Sequence, residues 1–219
     1  MSNPPTRSTP TIVELLHSLR AETRELHARA ERAGVMGLLL AGRLDRARYG
    51  ALLRHLHALY VALEAALDAQ AADPRLAPLL EPAWRRSEAL ACDLRAWHEG
   101  RLPDDEALVP ALREYVERLQ SHARHQPVAL AAHAYARYLG DLHGGQILGE
   151  LVRRAYSTAA QGATRFYDFG GAERVRVLRE RLRAALAGLP LTRAEHDVVV
   201  AEARWAFAQH VELFEQLAR

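Results

Sequence analysis

AYARYLGDLHGGQILGELVRRAY, residues 134–156, is the stretch from which the rest of the chain is read. Its Tyr135, Tyr138, Leu139, Leu142, Gln146, Ile147 and Leu151 recur at three- and four-residue steps, the pattern of a helix with one buried face. Gly140, Gly144 and Gly145 nevertheless sit inside it, and each interior glycine destabilises a helix by roughly 0.5–1 kcal/mol relative to alanine. Together they forgo about 2–3 kcal/mol of a net stability of about 5–15, which predicts a use for backbone without side chains. Gly140 and Gly144 are four residues apart and share a face, where something flat and bulky can lie against the helix. Arg137 and Asp141 share the same spacing, which puts a cation and a carboxylate within pairing reach beside that bare patch. Spacing alone leaves another reading open, in which the glycines divide the helix or admit a crossing one.

The surrounding chain is helical by the same criterion. Pro10 precedes a capping box of Thr11 and Glu14. From there Val13, Leu15, Leu16, Leu19, Thr23, Leu26, His27 and Ala30 trace one buried stripe to about Arg32. A short apolar segment, Val35 to Ala41, ends near Gly42, and Asp45 caps a helix running to about Ala71. Further helices are expected from Pro78 to Glu99, from Asp104 to Arg124 with Pro110 in its first turns, and from Pro127 to Ser157. Residues 158–171 form the longest loop, a helix follows to Ala187, and Thr192 with Glu195 makes a second capping box for the last. The fold class expected is an all-α helical bundle. At 219 residues one core suffices, so a single domain over 11–219 is expected behind a disordered tail at 1–10 that carries three prolines.

Composition narrows the function. Twenty-nine basic residues interleave with 27 acidic ones for a net charge of +2, which argues against a nucleic-acid arm. A single cysteine, Cys92, excludes an intrachain disulfide and a cysteine-cluster metal site. The N-terminus has no signal-peptide pattern and no window of about 18 apolar residues spans a membrane, so a soluble, cytoplasmic chain is expected. A monomer is expected separately.

Among 11 histidines, His27 stands out because its apolar face needs a reason to carry an imidazole, and neutral imidazole is a common axial ligand of haem iron. Glu31, one turn on, can take the proton of the other ring nitrogen. A core histidine satisfied by Glu31, with no metal, is the alternative.

The run from Ala134 to Tyr156 resembles the distal-helix motif of the heme oxygenases, the haem-degrading enzymes, whose usual form is a tyrosine followed by RYLGDLSGGQ. LRAETRELHARAE, residues 19–31, resembles the same family's proximal helix with His27 at the iron-ligand position. The resemblance implies haem held between proximal and distal helices, as both cofactor and substrate. It also implies consumption of O2, electrons from a reductase or ferredoxin-type donor, and biliverdin, CO and ferrous iron as products. By the same resemblance Arg20 and Arg24 reach toward the haem propionates, and Arg179 and Arg183 stand where the family has a basic propionate-binding pair. Tyr60 corresponds to a distal tyrosine on a water network and Tyr135 to a pocket tyrosine, and Gly145 completes the glycine patch. Gly140 and Gly144 would set backbone against the ring, Asp141 would order proton-delivering waters, and Arg137 would keep Asp141 oriented and ionised.

The match departs at Ala136, where threonine is frequent, and at His143, where serine is usual. His143 is read as a donor at the pocket edge or as pointing aside, with direct approach to the iron as the alternative. A protein that stores or senses haem without turnover is the competing function.

Overall fold

The computed structural model describes residues 14–98, 107–156 and 163–219. Among these the regular structure is helical throughout: α1 (Glu14–Arg32), α2 (Gly34–Leu40), α3 (Arg46–Asp68), α4 (Ser87–Trp97), α5 (Pro110–His125), α6 (Leu130–Ala134), α7 (Gly140–Tyr156), α8 (Ala172–Ala187) and α9 (Arg193–Ala218). Short 3-10 turns occur at Ala77–Leu79, Pro82–Trp84, Pro127–Ala129 and Arg165–Tyr167, and a π-helical turn, Tyr135–Leu139, joins α6 to α7.

The longest helix, α9, is the spine. Thr192 accepts the Glu195 N–H while Glu195 reaches back to the Thr192 N–H, so two otherwise unpaired donors are satisfied at its start. Helices α1, α2, α5 and α6 pack along it, and α3 packs on α4 and α5. Leu19, Leu59, Leu119, Ala203 and Phe214 belong to one continuous buried cluster that links α1, α3, α5 and α9. Helix α1 turns into α2 at Gly34, whose φ is +37° and where an added Cβ would stand 1.9 Å from the Phe214 carbonyl oxygen. Backbone touches backbone there, which only glycine permits.

Several elements differ from expectation for local reasons. The helix predicted from Pro78 is replaced by two 3-10 turns, and α4 starts only at Ser87. Its first donors are taken by a side chain from another helix: the buried Glu64 carboxylate accepts the N–H of Arg86 at 2.7 Å and of Ser87 at 3.1 Å. The helix predicted from Asp104 is described from Pro110, whose missing N–H is no loss in a first turn. The glycine-bearing helix is interrupted by the π turn rather than by its glycines. The tail at 1–10, the Thr11 cap, residues 99–106 and residues 157–162 lie outside the described residues.

The buried stripe of α7 also shifts. Gln146 is exposed and Ile147 is 65% exposed, whereas Leu142, Gly145, Gly149 and Val152 are buried. The cause is the turn at Arg165–Tyr167. Tyr167 presses on Gly149, where an added Cβ would be 2.9 Å from the tyrosine Cβ. Asp93 of α4 holds that turn by accepting the N–H groups of Arg165 at 2.9 Å and Phe166 at 2.8 Å.

Two glycines with positive φ separate strain from contact. Gly42, at φ +66°, has nothing within 4 Å of an added Cβ. Gly42→Ala should therefore destabilise by about 1 kcal/mol, the left-handed term alone. Gly34→Ala should lose more than about 3 kcal/mol, because strain and collision add. Equal shifts of the urea midpoint in the two variants would contradict the close approach of α2 to α9.

Candidate active site

Helix α1 and the segment from the π turn into α7 face each other across a cleft of about 410 Å³, a volume usual for small-molecule sites. Arg20, Thr23, Arg24 and His27 line it from α1, and Tyr135, Ala136, Gly140 and His143 from the other side. Leu16 of α1, Leu139 of the π turn, Arg183 of α8 and Phe207 of α9 complete the lining.

His27 is 50% exposed in its side chain, so it does not share the burial of Leu15, Leu19, Thr23 and Ala30 on the same helix. Its ring meets Phe207 edge-on at 5.5 Å. His27 Nδ1 lies 3.8 Å from Glu31 Oε1, too far for a hydrogen bond as it stands but near enough to favour the proton on Nδ1. Nε2 then keeps its lone pair, the form in which imidazole ligates iron. Glu31 itself stands behind the ring and does not line the cleft.

On the opposite wall, an added Cβ at Gly140 would meet nothing within 4 Å, and the same holds at Gly144, one turn on and outside the cleft lining. Backbone is thus laid bare where the sequence predicts it. Gly145 is a correction: its Cβ position faces the Tyr167 carbonyl at 3.5 Å and the Phe169 ring at 3.8 Å, so it packs the helix against the turn rather than lining the cleft. At about 100° per residue, Gly145 and Gly149 stand about 140° and 180° round the axis from Gly140. A second correction concerns Arg179, which is half-buried one turn before Arg183 and outside the cleft lining.

Asp141 sits just behind the bare strip with its side chain 12% exposed. Tyr60, fully buried on α3, donates its hydroxyl to Asp141 Oδ2. Arg137 donates through Nη2 to Asp141 Oδ1 at 3.2 Å and through Nε to the Tyr60 hydroxyl at 3.1 Å. Burial pushes the Asp141 carboxyl above its ordinary pKa, while the Arg137 charge and the Tyr60 hydroxyl pull it back. Arg137 therefore favours ionisation but does not overcome the larger opposing desolvation, so the net shift is upward, against the expectation that Arg137 keeps this carboxyl fully ionised.

His143 is exposed, and its Nδ1 donates to the Leu139 carbonyl at 2.7 Å. A carbonyl only accepts, so a neutral His143 carries its proton on Nδ1 and has a free lone pair on Nε2.

Three residues of the site escape sequence reasoning. Thr23 donates to the Leu19 carbonyl at 2.6 Å and lies 3.4 Å from the Tyr135 hydroxyl, joining the two walls. Phe207 braces His27. His210 stands 3.2 Å from Arg137 Nη1. Neither Phe207 nor His210 is singled out by the sequence, since each touches the site only through a partner on a distant helix.

The donor set suits haem: an imidazole, a strip of backbone for a flat apolar ring, and three arginines for acidic substituents. The family model described as heme oxygenase matches residues 13–216. A heme oxygenase of Pyropia yezoensis is 34% identical over 203 residues, 93% of this chain and 85% of that protein. Heme oxygenase 1 of Homo sapiens is 33% identical over 93% of this chain and 72% of its own length. The crystal structure of heme oxygenase-1 from the cyanobacterium Synechocystis in complex with heme superposes with a TM-score of 0.87 at 31% identity, covering 94% of this chain and 92% of that one. With a match along nearly its whole length in sequence and in fold, the chain belongs to the heme oxygenase family.

Proposed function

We propose that the cleft binds haem and that the chain opens it oxidatively, with O2 and electrons from a reductase or ferredoxin-type donor, to biliverdin, CO and ferrous iron. The observation that carries this reading is one cleft lined by His27 on α1 and by bare backbone at Gly140 on α7. Bound haem supplies the iron at which oxygen is activated and is itself the ring that is opened.

The protein's part is positional and electrostatic. His27 would hold the iron through Nε2, with Glu31 behind Nδ1. Arg20, Arg24 and Arg183 offer cations to the propionates at the rim, where guanidinium pairs well with carboxylate. Arg179, behind Arg183, supports the local potential without lining the cleft. Gly140 and Gly144, bare of side chains, would let the α7 backbone approach a bound ring and would narrow the directions open to oxygen. Asp141 keeps acceptor capacity free to order water next to the reacting atoms, and Arg137 and Tyr60 fix its orientation. Tyr135, tied toward Thr23, closes one side. His143 presents its Nε2 lone pair at the cleft edge, as a partner for water or for the iron.

Haemin added to the purified protein with a reductant should lose its Soret band as biliverdin and CO appear. A ferrous haem complex stable in air would replace this reading with storage or sensing. His27→Ala should weaken haem binding by about tenfold or more and abolish the spectrum of a histidine-ligated haem, and an unchanged spectrum would refute the axial assignment. Asp141→Ala should bind haem within about twofold of the parent and form biliverdin on the order of 100-fold more slowly; biliverdin at the parent rate would remove Asp141 from the proton path. An absorption titration of the haem complex against pH should differ between the parent and His143→Ser if His143 contacts iron or its water, and identical curves would show that it points aside.

A further inference from the structure

One cluster of nitrogen and oxygen donors lies outside the cleft and has no part in the reading above. One donor atom from each of His122 on α5, His133 on α6 and Glu202 on α9 lies within 4.8 Å of the others, and all three residues are buried. His122 Nε2 and His133 Nε2 each stand 3.1 Å from Glu202 Oε1. Neither nitrogen makes a directed hydrogen bond to any described residue, although both are shut off from solvent.

Short separation without direction is unusual for hydrogen bonds and natural for a shared ion. An N–H donor must aim along the line to its acceptor. Ligands of one metal instead aim their lone pairs at a point off the line joining them. With bonds of about 2.0–2.1 Å at a tetrahedral angle, neighbouring ligand atoms fall about 3.3 Å apart, close to the separations found here.

The surroundings are arranged accordingly. His133 Nδ1 lies 2.9 Å from the Tyr115 hydroxyl, so a proton donated there leaves Nε2 as the free lone pair. Arg118 grips Glu202 side-on, with Nε 2.7 Å from Oε1 and 3.0 Å from Oε2, and Nη2 2.6 Å from Oε2. Such a paired contact takes one lone pair of each oxygen and leaves another on Oε1. The guanidinium also stacks over Trp205 at 4.3 Å. Its charge opposes a second cation nearby, so binding weaker than that of a cysteine-rich structural site is expected.

We propose that His122, His133 and Glu202 form a buried site for a late first-row divalent cation, zinc by its two-imidazole, one-carboxylate donor set, with water in the fourth position. The site does not depend on how the cleft is used, because His27 contributes nothing to it.

Haem-free protein, stripped with a chelator, equilibrated with Zn2+ and desalted, should retain one equivalent of zinc per chain and show a raised Tm. His27→Ala should behave the same way, which separates this site from the cleft. His122→Leu should lose the Tm shift and bind zinc more than about tenfold more weakly, while taking up haem as the parent does, so that a folding defect is recognised. Co2+ used as a probe should give the intense visible bands of a tetrahedral nitrogen and oxygen site in the parent and not in His122→Leu. No retained zinc in the parent, or equal retention in His122→Leu, would overturn the proposal.

Discussion

Helix α7 is held from behind so that it can be bare in front. Two pairs of its glycines lie on different faces: an added Cβ at Gly145 or Gly149 meets the Tyr167 turn, whereas at Gly140, which lines the cleft, and at Gly144 it meets open space. A helix stripped of side chains on one face has little to fix its height over a ligand, and loose backbone there would give an ill-defined gap. The rear contact supplies the constraint. Tyr167 meets the Gly149 backbone closely, and its turn is fixed by Asp93, whose two carboxylate oxygens accept successive N–H groups from a position on α4. Tyr49 of α3 adds a donated hydrogen bond to the Tyr167 hydroxyl at 3.4 Å. Positioning therefore runs from the α3–α4 pair through one short turn to the wall of the cleft.

Periodicity reaches the face a residue occupies and stops short of what that face meets. That is why the capping box at Thr192 and the Asp45 cap, each a matter of a few neighbouring residues, were legible. Gly140, Gly144 and Gly145 look alike in the sequence, and only the Tyr167 turn, 18 residues beyond Gly149, tells the third apart from the others. The same limit explains the missing helix start at Pro78: the Glu64 carboxylate that caps α4 lies 23 residues before Ser87. Arg179 and Arg183 are one turn apart and so share a rough direction, yet the cleft edge falls between them. His27 became legible as a site residue through its resemblance to a proximal helix, while the stripe that placed it in the core read a cleft wall as interior. Both kinds of surface are apolar, and a hydrophobic pattern does not distinguish them.

The buried charges beside the cleft are kept in register by counting donors and acceptors. The Arg137 guanidinium presents five N–H donors from a side chain only 12% exposed. It spends them on the Tyr60 hydroxyl, on Asp141 and on His210, three acceptors of which one is an anion. His210 can accept only while neutral. Burial and the Arg137 charge hold its pKa well below the usual value, so its Nε2 keeps the lone pair that Arg137 needs. A protonated His210 would set two cations 3.2 Å apart in a dry interior.

The same count limits what Asp141 can do. Oδ1 is engaged by Arg137 and Oδ2 by Tyr60, and a carboxylate offers roughly four lone-pair sites, so about two remain. Those two can only accept, and they belong to a group whose position is fixed by a helix mate and by a tyrosine from α3. A side chain so tethered is confined to the rear of the bare strip. It can orient water that enters above Gly140 and Gly144, and the strength of that orientation rises with the charge that Arg137 helps it keep against burial. The glycine strip and the tethered carboxylate are thus complementary: one leaves space free of side chains, and the other sets fixed acceptors beside it.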